Sequence, residues 1–302
     1  DVVSCQAEWC YHRGDFQASY DTTKALLDRD PYQLTCLPVH LAAAVELRKK
    51  NDLFLLSHRL VEEYPTRAIA WFAVGCYYLC IRHYDSARRY FSKATTLEST
   101  FAPAWLGFGN AFTAQDESDQ AMAAYRTAAR LFAGCHLPLL CIGMEYQRTN
   151  NLHLAGQFCE QARALCPTDP LVFNELGVLA YRNRDFAAAT RHLSRALELV
   201  PEPVPDMWEP TVVNMAHALR KQGLYEEAVQ WYEKALALCP HAASTYAALG
   251  FTYHLGGDLP LAIEFYHKAL GLRPEDTFAG EMLSTALAEE CARCQEEHEG
   301  VF

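Results

Sequence analysis

The chain has 302 residues, 51% hydrophobic and 21% charged, a composition that folds around a sizeable core and by length alone suggests about two domains. Its formal net charge of -11 at pH 7 excludes a nucleic-acid surface built on bulk charge, because phosphate binding needs clustered Lys and Arg. The apolar run Ala68 to Ile81 has 14 residues, whereas a membrane helix needs about 20, so no membrane span is expected there.

From the N-terminus, apolar periodicity predicts helix pairs that start near residues 1, 34, 68, 102, 136, 170, 209 and 243. The third pair shows the plan in WFAVGCYYLCIRHYDSARRYFSKA, from residue 71: an apolar helix, a tight turn, then a half-exposed helix. Trp71 recurs at Trp105, and Gly75 recurs at Gly109, Gly143 and Gly177, each 34 residues on. Pro167 and Pro201, then Pro240 and Pro274, keep the same interval. This is the tetratricopeptide (TPR) period. An insertion around PEPVPDMWEP separates the sixth and seventh pairs. Residues 277–290 are predicted to form a capping helix and residues 291–302 an acidic tail, since the last repeat needs a polar outer face. With no Gly/Ser-rich linker, residues 1–302 read as a single array. The expected fold is an all-α TPR solenoid, a right-handed superhelix of antiparallel helix pairs with a C-terminal cap.

With Trp71 taken as the fourth position of its unit, the eighth is held by Ala7, Leu41, Gly75, Gly109, Gly143, Gly177, Ala216 and Gly250. The twentieth is Ala in six units, from Ala87 to Ala262. These small residues are predicted to face each other so that the paired backbones approach closely. Large apolar residues, among them Phe91, Tyr125, Tyr232 and Tyr266 at the twenty-fourth position, fill the remaining space.

Chemistry-bearing motifs are sparse. There is no P-loop, no G-x-S-x-G and no H-E-x-x-H. Cys291 and Cys294 have metal-ligand spacing, but one pair without a second is a weak signal, so no metal or cofactor is expected. The 12 cysteines are scattered among apolar residues, as in GCYYLC and LLCIG, which suits small buried hydrophobes in a reducing compartment. The chain opens on Asp1 without Met and shows no signal-peptide pattern, so a piece of a longer protein is expected.

A solenoid offers a concave face built from the first helix of each pair. Repeat geometry assigns to it Phe72, Cys76, Asn110, Met144, Gln147, Arg148, Asn174, Tyr181, Arg182, Asn214, His217, Arg220, Phe251 and His254. Amides and rings in this set suit an extended peptide. Arg148, Arg182, Arg220 and Lys221 occupy matching places in three successive units. They read either as a basic ladder gripping a partner or as solvated cations favoured by helix C-terminal dipoles.

Some wording exceeds what the repeat demands: AWFAVGCYYL at 70–79, ARRYFSKATTLE at 87–98, GCHLPLLCIGMEY at 134–146 and WEPTVVNMAHALRK at 208–221. Over nearly the whole chain it resembles the cell division cycle protein sixteen family, TPR scaffold subunits of the anaphase-promoting complex. The resemblance implies a non-catalytic arm of a multisubunit ubiquitin ligase that marks mitotic regulators for destruction, working in nucleus and cytoplasm. It also implies a small partner subunit, of the cell division cycle protein twenty-six type, whose extended N-terminus lies in the groove. Other TPR subunits would pack outside, and homodimerisation would depend on N-terminal repeats this C-terminal half lacks. Two other readings stay open: a peptide-binding TPR co-chaperone, which needs a Lys and Asn clamp in three consecutive units, and a TPR arm of a larger enzyme.

Overall fold

The computed structural model describes residues 2–31 and 33–299, without the side chains of residues 294 and 296–299. The described residues form seventeen α-helices, one 3-10 turn and no strand. The chain divides into two compact units: Asp1–Leu179 with Leu199–Pro201, and Ala180–Glu198 with Glu202–Phe302.

In the first unit α1 (Val2–His12) packs on α2 (Phe16–Arg29), α3 (Leu37–Glu46) on α4 (Lys50–Glu63) and α5 (Ala68–Cys80) on α6 (Tyr84–Leu97). Next come α7 (Ala102–Thr113) on α8 (Ser118–Leu131) and α9 (Leu137–Arg148) on α10 (Leu152–Leu165). α11 (Pro170–Arg182) is shared between the two units, and α12 (Phe186–Leu199) belongs to the second apart from its last residue. The insertion carries the short turn Asp206–Trp208. Then α13 (Glu209–Lys221) packs on α14 (Tyr225–Leu238), α15 (Ala243–Gly256) on α16 (Leu259–Leu272), and α17 (Thr277–Glu299) closes on α16.

Second helices are half-apolar because only one stripe is buried, as with Ala87, Phe91 and Ala94 on α6. Helix starts are set by local chemistry. Asp15, Asn151 and Asp258 accept from backbone N–H groups of the first turn. Pro, which lacks an N–H, sits at the start of α3, α7, α9, α13 and α16.

The turn within each pair has a shared backbone signature. Gly14, Arg48, Arg82, Asp116, Asn150, Arg184, Gly223 and Gly257 hold the same register in their units, and all take positive φ, from 52° to 85°. At Arg82 this reverses the chain after α5, so that the His83 N–H bonds the Tyr78 carbonyl and the Arg82 N–H bonds that of Leu79. Five of the eight are not glycine, so each of those five side chains bears the steric cost of a left-handed backbone.

The eighth-position glycines are packed differently from the sequence expectation. Their nearest neighbour is the twenty-fourth side chain more than the twentieth. A Cβ added to Gly75 would lie 2.5 Å from the Phe91 ring, and one on Gly109 would lie 2.4 Å from that of Tyr125. A Cβ added to Gly107, from the following pair, would lie 2.7 Å from the same Phe91 ring. The twentieth residue contributes its backbone: the Ala262 carbonyl would lie 3.2 Å from a Cβ on Gly250. Tiny residues therefore form slots for rings, and the rings fill them completely: Phe91, Tyr232 and Tyr266 have no exposed surface.

The last helix also departs from expectation. It continues to Glu299 instead of ending at residue 290, because Ala, Glu, Gln and Arg favour helix and no Gly or Pro intervenes before Gly300. The end of the expected tail, residues 300–302, lies outside the described residues.

Candidate functional site

The inner-face residues of the first unit form a polar network around a carboxylate. Glu145 is buried on α9. Thr113 Oγ1 donates to its Oε1 at 2.7 Å, and Ser118 Oγ and Arg148 Nη2 both reach its Oε2 at 2.9 Å. Arg148 Nη1 also binds Asp116 at 2.7 Å, and Arg148 contacts Ser118 as well. The hydrogen bond that Arg148 donates to Glu145 holds the guanidinium protonated more firmly than usual. Tyr125 donates to Asn110 Oδ1 at 2.8 Å and lies 3.0 Å from Thr113 Oγ1. Asn174 donates to Glu175 at 2.9 Å.

Three expected face residues are core residues instead. Phe72 is buried, edge-on to Phe101. Cys76 is buried, and that burial pushes its thiol up. Gln147 is buried on α9. Phe72 turns inward onto the Phe91 and Phe101 rings, an apolar surface that suits it. Asn110 and Met144 remain exposed. Arg148 has two carboxylates of its own fold, so it is a structural cation. Glu145, at the centre, was not among the expected residues.

In the second unit the first helices carry a different set. His217 Nδ1 lies 2.6 Å from the Tyr232 hydroxyl, and burial, with Arg220 and Lys221 adding to it, pushes His217 down to about 4. The Arg220 guanidinium stands 4.9 Å over the Phe251 ring. Phe251 packs edge-on against Phe278 at 5.5 Å. His254 Nε2 pairs with Glu289 at 2.9 Å, and its Nδ1 lies 3.3 Å from the Tyr266 hydroxyl. Tyr181 packs edge-on against Phe186. Arg182 is exposed, and Asn214 is half-buried on α13.

One rule connects repeat packing to the site. Where the twenty-fourth residue is Tyr, its ring fills the slot and its hydroxyl emerges among the inner-face side chains: Tyr125 to Asn110, Tyr232 to His217, Tyr266 to His254. Where that residue is Phe91, Cys159 or Leu193, no hydroxyl is available to reach those side chains.

Among the described residues, no group of three or more His, Cys, Asp or Glu is placed to hold a metal ion. Cys291 is exposed, and the side chain of its motif partner Cys294 lies outside the described residues. The arrangement instead presents fixed amides, rings and charges along helix faces, which suits binding of a polypeptide.

Comparison with known proteins agrees with the repeat. A tetratricopeptide-repeat family model matches residues 209–275. The chain is 53% identical to anaphase-promoting complex subunit 6 of Arabidopsis thaliana over 291 residues, covering 96% of this chain and 54% of that protein. It is 48% identical to the cell division cycle protein 16 homolog of Homo sapiens over 288 residues, covering 94% of this chain and 46% of that protein. The crystal structure of the APC/C hetero-tetramer Cut9–Hcn1 superposes with a TM-score of 0.88 at 38% identity, over 95% of this chain and 55% of the matched one. The chain thus spans about half the length of the curated relatives it matches.

Proposed function

We propose that the chain belongs to the cell division cycle protein 16 family, to whose members it is similar over nearly its whole length, and that it is a non-catalytic scaffold of the anaphase-promoting complex ubiquitin ligase. Its inner helix faces take the extended N-terminal segment of a small subunit, and its outer surfaces meet neighbouring TPR subunits. The protein works in nucleus and cytoplasm during mitosis.

The observation that carries this reading is sequence identity sustained along nearly the entire chain. A TPR fold needs only small and apolar residues at a few places in each unit, so agreement at this level reaches far beyond the demands of the fold. The matched crystal structure, which contains Hcn1 beside Cut9, supports a small companion. The inner faces support the peptide-holding role, since their side chains are already fixed by neighbours such as Tyr125 and Tyr232, which lowers the entropic cost of ordering them on binding.

The test is to purify the intact protein from dividing cells and identify what accompanies it by mass spectrometry. Ligase subunits, including one small chain, are the expected companions. Chaperones alone would overturn the scaffold reading.

A further inference from the structure

Resting on the reading that the inner face of the second unit holds an extended segment, we propose that Arg220 and Phe251 form a seat for an acidic side chain of that segment. The guanidinium takes the carboxylate, and the neighbouring chain of the partner lies along the Phe251 and Phe278 rings.

The seat is recognisable by what its charges already do. Glu289 is engaged on His254, and the Tyr232 hydroxyl, which Arg220 can reach, is shared with His217 and Thr252. No carboxylate among the described residues pairs with Arg220, and its Nε is buried without a hydrogen-bond partner among them. A guanidinium has five donors in a rigid fork that matches a carboxylate, and a buried donor left unmade calls for an explanation. Stacking on Phe251 fixes the plane of the group, and its terminal nitrogens, which unlike Nε are not buried and unpaired, are the donors left to receive a ligand. Phe278 beside it remains 44% exposed, an apolar surface continuous with the seat. Exposed Lys221, next in the chain, adds positive potential. Arg148, the comparable cation of the first unit, has its donors satisfied by Glu145 and Asp116 and is no such seat.

The test uses the intact protein and the small chain that co-purifies with it. Calorimetry after separation and remixing compares wild type with Arg220→Gln and Arg220→Lys, with melting curves recorded alongside. Arg220→Gln should weaken binding about 10- to 100-fold, as loss of a charge-assisted hydrogen bond does, and Arg220→Lys should weaken it less. Changing each Asp or Glu of the partner's extended segment to its amide should identify one position that reproduces the loss and adds nothing on top of Arg220→Gln. If Arg220→Gln fails to fold, the Arg220 Nε–H resonance of wild type decides: it should shift with the partner and stay still with the amide variant. A partner bound within twofold by folded Arg220→Gln, or a resonance that never moves, overturns the seat and leaves the scaffold standing. Absence of any small companion overturns both.

Discussion

The Tyr232 hydroxyl meets His217 Nδ1 at 2.6 Å because the tyrosine ring is packed wholly within the helix pair, in the same core cluster as Ala216. A packing residue therefore positions an inner-face residue. Tyr232→Phe keeps the ring and takes its partner from the half-buried imidazole nitrogen, so it should lower stability by about 1–3 kcal/mol. Urea denaturation would show this as a lower midpoint at unchanged slope. An unmoved midpoint would mean that the hydroxyl is dispensable.

The slots themselves make a second prediction. Ala is a better helix former than Gly by about 1 kcal/mol, so Gly75→Ala would stabilise an isolated helix. Here the added methyl would stand 2.5 Å from Phe91, a ring that Gly107 also packs against. Overpacking should win, for a net loss of about 1–3 kcal/mol. Combined with Phe91→Leu, the two losses should be less than additive, because the smaller side chain gives the methyl room. Strict additivity in a double-mutant cycle would separate the two sites and refute the slot.

How much of this was legible in the residues follows from what each feature demands. The period was plain because a slot tolerates only tiny side chains, so Gly75, Gly109 and Gly143 stand out at a constant interval. The left-handed turn was not, because it fixes backbone angles and not residue type: Arg82, Asp116, Asn150 and Gly223 share the conformation without sharing chemistry. Glu145 was missed for a related reason. Repeat geometry says which positions face inward on average, whereas its role depends on Thr113, Ser118 and Arg148 from particular neighbours. Phe72 and Cys76 were assigned to an open face on the same average and are buried, Phe72 against the Phe91 and Phe101 rings.

Left-handed turns offer a route to stabilisation. A non-glycine residue in that region costs about 1–2 kcal/mol, partly offset by the extra freedom glycine has when unfolded. Arg184→Gly, at φ 63°, should raise stability by about 0.5–1 kcal/mol. Gly223→Ala, at φ 81°, should lower it by a similar or larger amount. Thermal melts of both variants check the sign, and a destabilised Arg184→Gly would contradict the conformational account.

Two histidines, His40 buried and His217 half-buried, set a pH dependence. Burial pushes His40 and His217 down from 6.5 to about 4 each. His40 stacks on Tyr20 and lies 2.8 Å from Thr23 Oγ1, with Asp52, which would favour its charge, held by the Tyr20 hydroxyl. The unfolded chain therefore binds protons that the folded chain refuses between pH 6.5 and 4. Stability is full above pH 6.5 and falls as pH drops through that window, by roughly 2 kcal/mol per histidine at pH 5. Urea midpoints at pH 7, 6 and 5 should fall in step, and His40→Gln should flatten the slope. A flat wild-type profile would show that both imidazoles can charge in place.

Arg148 separates a structural cation from a binding one. Its side chain is partly exposed, which for a lone surface charge would make substitution nearly neutral. Yet it is a partner of Glu145, whose side chain is only 2% exposed, and of Asp116. Arg148→Ala leaves Glu145 with the Thr113 and Ser118 hydroxyls alone and should cost about 1–3 kcal/mol. Arg148→Glu sets a third carboxylate beside two others and should cost more, about 3–5 kcal/mol, because the buried charge is then opposed as well as unpaired. Lowering the pH should narrow the gap between the two variants, since protonation relieves carboxylate repulsion. A folded, undiminished Arg148→Glu that fails only in partner binding would return Arg148 to the ladder and remove the network from the fold.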